Sequence, residues 1–118
     1  MTKVIYSTGG PVYFLQAKGH AGGGTKGNDI ICAGISAVTQ ALLNILINDE
    51  GEDAQHIYAK WEMDENSGAL RISAKAKDTD GEADVKAYFR MAVMGLAAIA
   101  ENYPGNIELK EVKNGGSI

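Results

Sequence analysis

The chain is poor in the residues that staple small proteins, with one cysteine and two prolines among 118 residues. A single thiol excludes an internal disulfide and any multi-cysteine zinc or iron–sulfur site. No run of 18 apolar residues occurs, so no membrane helix is expected. Residues 1–6 lack the basic-then-apolar layout of a signal peptide, which makes the cytoplasm the expected location. Basic side chains are in deficit, 11 against 15 acidic ones, for a net charge of −4. That balance argues against a broad surface for duplex nucleic acid. What remains is globular: 45% hydrophobic and 22% charged residues rule out a disordered or collagen-like chain. A chain of this length hides roughly two-thirds of its unfolded surface and builds a core without staples.

Hydrophobic periodicity divides the chain into seven elements. Strands are predicted over residues 3–6 and 12–18, joined by the turn cluster Thr8-Gly9-Gly10-Pro11. Asn28 and Asp29 read as helix-start residues. Ile31, Ile35, Val38, Leu42 and Ile45 follow at helical spacing, to about Asn48. Residues 54–63 and 69–75 alternate as a second hairpin, with Ile57, Ala59, Trp61 and Met63 sharing one face. Val85, Phe89, Ala92, Leu96, Ile99 and Tyr103 mark a second helix over about 81–102, stopped by Pro104-Gly105. A last strand covers 106–112. The order ββαββαβ predicts an α+β fold with two layers: a mostly antiparallel five-stranded sheet with two helices packed on it. One domain is expected over residues 1–113, followed by a flexible tail, 114–118.

Chemistry concentrates in Gly19–Ser36, GHAGGGTKGNDIICAGIS. Five glycines fall among residues 19–27, and a loop so short of side chains is expected to be mobile. Gly22, Gly23, Gly24 and Gly27 would let the backbone close over a substrate. His20 ends a strand, and Cys32 is expected in the first turn of the first helix. There the unpaired N–H groups and the positive dipole end would stabilise a thiolate. A nearby imidazole would take the proton. The plainer alternatives are a buried cysteine serving as a small hydrophobe and a solvated histidine. Asp29 is either a first-turn carboxylate or an orienter of His20. Ser36, one turn beyond Cys32, either hydrogen-bonds near the thiol or bonds back to its own helix. His56 reads as a surface residue on the polar face of a strand.

Two other motifs fail on context. Gly22, Gly24 and Gly27 spell the dinucleotide fingerprint G-x-G-x-x-G, but the chain has no repeated βαβ units. Thr25-Lys26-Gly27 has the wrong order for a phosphate loop. One histidine and one cysteine make a poor zinc set, so neither metal nor cofactor is expected.

Gly19-His20-Ala21, then Gly27, Asp29, Cys32 and Ser36, together resemble the signature of the bacterial ribosomal-processing cysteine proteases, Prp. The likeness extends over the whole chain, including Tyr103-Pro104 before the last strand. It implies a cytoplasmic homodimeric endopeptidase. Its substrate would be the N-terminal extension of a large-subunit ribosomal protein (L twenty-seven), apolar and aromatic near the cut. It further implies that Cys32 is the nucleophile and His20 the general base, with Asp29 and Ser36 at family positions of less defined role. Substrate binding is expected to order residues 21–27 and to bring base and nucleophile together. The rival expectation is a non-enzymatic ribosome-associated binding module in which Cys32 is structural.

Overall fold

The computed structural model describes residues 1–19, 26–49 and 56–113. Its elements run β1 (Thr2–Ser7), β2 (Val12–Lys18), α1 (Lys26–Asp49), β3 (Ile57–Met63), β4 (Leu70–Ala76), α2 (Thr79–Asn102) and β5 (Ile107–Glu111). The five strands form one sheet in the order β3-β4-β2-β1-β5. Three of the four ladders are antiparallel, and only β1 and β5 run parallel. The parallel pair follows from connectivity, because α2 carries the chain across the sheet before β5 returns beside β1. Both expected hairpins are present, and the expected order and two-layer α+β arrangement hold.

Each ladder stacks apolar side chains on the helix side of the sheet. Leu15 pairs with Ile72, and Tyr13 with Ala74. These four are buried together with Val85, Phe89, Ala92 and Leu96 of α2 and Ile35, Leu42 and Leu46 of α1. Tyr13 packs its ring on Phe89, at 5.8 Å between centroids, and donates its hydroxyl to Glu82. Burial, together with that carboxylate, pushes the Tyr13 phenol up to about 12. On the opposite face, the Arg71 guanidinium covers the buried Phe14 ring at 4.2 Å.

Helix α1 departs from the expected stripe. The buried row is Ile31, Ile35, Thr39, Leu42 and Leu46, with Leu43 beside it, while Val38 is half-buried and Ile45 is 38% exposed. A period of 3.6 carries the row through position 39. A threonine fits there because its hydroxyl donates to the Ile35 carbonyl at 3.0 Å. Residues 30–48 are apolar enough, by length and composition, to cross a membrane. Here this segment lays its apolar row against α2 and β3.

Helix α2 begins where Asp78 caps it. The Asp78 carboxylate accepts from the Gly81 N–H at 2.8 Å, and Asp80 and Glu82 add negative charge to the first turn. It ends at Tyr103, whose N–H donates to the Ile99 carbonyl at 2.8 Å, just before Pro104. Gly81 sits so close to the His56 carbonyl that any Cβ there would overlap it. That contact pins the start of β3 to the start of α2. A Cβ at Gly34 would stand 3.5 Å from Ile99, and one at Gly95 3.4 Å from Val38, so the helices run antiparallel with small residues at their crossing.

Two ends of the molecule follow. The starts of β3 and α2 and the finish of α1 share one end. The start of α1, the finishes of β2 and β3, and the start of β4 share the other.

His56 precedes β3 and does not lie on its polar face. Its Nδ1 meets the Asp78 carboxylate at 2.5 Å, with both side chains nearly half exposed. The hydrogen bond to Asp78 and that residue's charge raise the imidazole above its ordinary value of 6.5. Hydrogen bonds from Gly81 and His56 lower the Asp78 carboxyl. A raised histidine stabilises the fold fully below 6.5 and loses that contribution as pH rises through its folded value. A lowered aspartate contributes above about 3.9 and loses this as pH falls through its folded value. Stability from the contact is therefore greatest in mildly acidic solution. His56→Gln is expected to lower the melting temperature most near about pH 5.5 and to converge on wild type in alkaline buffer. Melting curves taken across pH check this, and a constant difference would refute it.

Candidate active site

Strand β2 delivers the chain towards His20. Its last residue, Lys18, pairs with Lys3 of β1. The next residue, Gly19, has φ +93°, in the left-handed region that favours glycine. A Cβ there would stand 2.7 Å from the Met1 carbonyl oxygen, closer than real Cβ contacts allow. Position 19 thus needs glycine for two reasons, its backbone angle and its proximity to the N-terminal strand. The turn it makes directs the backbone that carries the adjacent His20. His20 itself, with Gly22, Gly23 and Gly24, lies outside the described residues.

Cys32 lies on α1, half-buried against the core cluster and without a disulfide. Its neighbour Ile31 is buried, whereas Ile30 is 72% exposed. The thiol therefore stands at the border between core and solvent, one step round the helix from the buried row. Ser36, one turn further on, is exposed.

The helix start differs from the expected one. Lys26 and Gly27 are already helical, so Asn28 and Asp29 fall inside the first turn and do not precede it. Gly27 therefore belongs to α1 and not to the glycine loop. Cys32 is the seventh residue of α1 and sits in the second turn. The unpaired N–H groups belong to the first four helical residues, and the dipole effect fades within that turn. The backbone terminus thus contributes less to a thiolate at Cys32 than a first-turn position would, and a neighbouring cation has more to supply.

The remaining histidine is far from this arrangement. His56 is held at the start of α2 by Asp78, at the opposite end of the molecule from the first turns of α1. Among the described residues, no cluster of three or more His, Cys, Asp or Glu side chains could hold a metal ion.

A half-buried thiol near the start of a helix fits a thiol hydrolase. The family model for cysteine protease Prp matches residues 1–108. The ribosomal processing cysteine protease Prp of Staphylococcus aureus is 33% identical over 100 residues, spanning 85% of this chain and 87% of that protein. The protein of the same name from Mycoplasma genitalium is 35% identical over 98 residues, spanning 83% and 87%. The crystal structure of the Staphylococcus aureus protease with a covalently linked product peptide superimposes with a TM-score of 0.73. It shares 28% identity over 95% of this chain and all of that one. A second structure of that protease, with a substrate peptide, also gives 0.73 at 26% identity. The chain is a cysteine protease of the α+β class. It belongs to the Prp family, which sets aside the reading of a non-enzymatic binding module.

Sequence reasoning named Gly19 as the first residue of the motif but gave it no role of its own. The signal was present, since glycine at a strand end beside a histidine marks a backbone turn. Gly19→Ala is expected to lower kcat/KM at least about tenfold, since strain at a positive φ costs about 1–2 kcal/mol and the Met1 contact adds to it. Peptide hydrolysis measured beside a melting curve checks this, and unchanged kinetics would refute the turn's role in placing His20.

Proposed function

We propose that this protease removes the N-terminal extension of a ribosomal-protein precursor of the large subunit (L twenty-seven), with Cys32 as nucleophile and His20 as general base. One observation carries the assignment of the nucleophile: a cysteine protease needs a thiol, and this chain has a single cysteine. The base follows from the two histidines. His56 is engaged by Asp78 at the far end of the molecule, which leaves His20, two residues beyond the end of β2. The substrate class is supported by the names and bound peptides of the relatives described above.

In the proposed reaction His20 accepts the Cys32 proton and the thiolate attacks the scissile carbonyl. The tetrahedral intermediate collapses as the imidazolium protonates the leaving amine, and a thioester remains. Water, deprotonated by the neutral imidazole, then attacks the thioester and releases the thiol and the acid product. Because Cys32 lies in the second helical turn, the imidazolium is the main stabiliser of the thiolate. Asp29, in the first turn of α1, and Ser36 are proposed to support this pair.

Incubation of the extended precursor with wild type is expected to give a shorter product by mass. Cys32→Ala should abolish the trimming, and His20→Ala should slow it at least about a hundredfold. Alkylation of Cys32 by iodoacetamide near neutral pH should slow in His20→Ala as well. Trimming by Cys32→Ala at the wild-type rate would overturn the assignment.

We also propose that the enzyme works as a homodimer in the cytoplasm, joined through the outer groove of its helix pair. That groove, of about 880 Å³, is floored by Ala37 and Ala41 and flanked by Val38, Ile45, Met91 and Met94. Met91 is 76% and Met94 62% exposed. Methionine ridges beside alanine hollows suit a second copy of the same surface. Met91→Asp is expected to halve the mass found by sedimentation equilibrium, and an unchanged mass would refute this interface.

A further inference from the structure

The catalytic end of the molecule carries apolar side chains that the core does not use. Met1, Ile30, Trp61, Met63 and Tyr103 are all large, hydrophobic and exposed, and all belong to segments that finish or begin at this end. Trp61 and Met63 stand out because their strand should have hidden them. Trp61 pairs with Ile72 and Met63 with Leu70, so both share the helix-side face of the sheet with the buried Ile57 and Ala59. Yet Trp61 is 49% and Met63 64% exposed. The helix layer covers the start of β3 and leaves its finish bare.

The bare corner lies level with the thiol. Helix α1 runs antiparallel to β3, and Leu46 of α1 and Ile57 of β3 are both fully buried near the opposite end. From Leu46 back to Cys32 is about 21 Å along the helix, and from Ile57 on to Met63 is about 20 Å along the strand. Strand β3 is also an edge of the sheet, paired with β4 on one side alone. Its other side presents backbone N–H and C=O groups to an incoming chain. The charged side chains of β3, Lys60 and Glu62, pair with each other at 3.1 Å on the face away from the helices. They do not obstruct the corner. The other edge strand, β5, offers no such platform, since Ile107 is buried and Leu109 half-buried.

Resting on the protease reading, we propose that the free edge of β3, with Trp61 and Met63 beside it, receives the substrate polypeptide as an added strand that leads to Cys32. Backbone hydrogen bonds to β3 hold the peptide extended, whatever its sequence. Its alternate side chains then fall on the helix side, against Trp61 and Met63, and the corner selects apolar or aromatic ones there. The occupant is the peptide to be cut, because the platform and edge end where the nucleophile lies. An aromatic side chain on Trp61 gains stacking as well as burial.

Trp61 is the only tryptophan in the chain, so its emission reports on this corner alone. Cys32→Ala titrated with a synthetic peptide of the precursor extension should show a saturable blue shift of that emission. In the enzyme with Cys32 intact, Trp61→Ala should lower kcat/KM about tenfold or more, mainly through KM, and Trp61→Phe should restore most of it. Alkylation of Cys32 by iodoacetamide should keep its wild-type rate in Trp61→Ala, which shows that the thiol and the fold are intact. N-methylation of alternate peptide amides should weaken cleavage strongly in one phase and little in the other. Wild-type cleavage with Trp61 emission unmoved and Trp61→Ala at full kcat/KM would overturn the docking site and leave the protease standing. A wild type that cuts no such peptide would overturn the protease reading. In that case a saturable Trp61 shift would still support the docking surface, and its absence would remove it.

Discussion

The contact between Gly81 and the His56 carbonyl orders the rest of the molecule. It locks the first turn of α2 onto the start of β3 with no room for a side chain, and Asp78 holds the same junction by capping the helix and meeting the imidazole. Once α2 is anchored there, the antiparallel crossing at Gly34 and Gly95 sends the start of α1 to the opposite end. Strand β2 finishes at that end because it is antiparallel to β1 and β4. Topology thus puts the start of α1, which carries Cys32, and the finish of β2 at the same end of the molecule.

This placement gives His56 a structural task. It stands where β3 and α2 both begin and faces Gly81, while His20 follows Gly19 in sequence. At the His56 junction the carboxylate of Asp78 occupies the imidazole and raises its pKa, which suits a structural clasp. At the Gly19 junction the backbone turns through a positive φ beside the N-terminal strand and hands the chain to His20. Composition alone does not separate the two; the Asp78 contact marks His56 as structural.

The architecture was legible because its signals are local. The strand alternations at 12–18 and 69–75, the helical stripe from Val85 to Tyr103, and Pro104 after it all mark elements that the structure contains. Misjudged features depended on what happens beyond the element itself. The helix start was read from Asn28 and Asp29, good capping residues, but Lys26 and Gly27 extend the helix ahead of them. This moves Cys32 out of the first turn, where the dipole effect is strongest. Thr39 joins the buried row that an apolar count does not reveal, because its hydroxyl satisfies itself on the preceding turn. Val38 and Ile45 were placed in the core and instead line the outer groove between the helices. Of the candidate site, Asp29, Cys32 and Ser36 fall on α1, while His20, Gly22, Gly23 and Gly24 lie outside the described residues.

Trp61 shows most clearly where periodicity stops being informative. Alternation puts it correctly on the helix-side face, but it does not say how far the helices reach along that face. The helix layer covers Ile57 and Ala59 at the start of β3 and leaves Trp61 and Met63 at its finish exposed. One corner of the sheet is therefore left with its apolar side chains uncovered. In a protein with no further use for that corner, polar residues would be the cheaper choice there, since a half-exposed tryptophan adds little to the core and invites association. Its retention beside an open strand edge, level with the thiol, is accounted for by a ligand that spends only part of its time there. A substrate peptide meets that condition: it must bind along several residues, present one bond to the sulfur, and then leave.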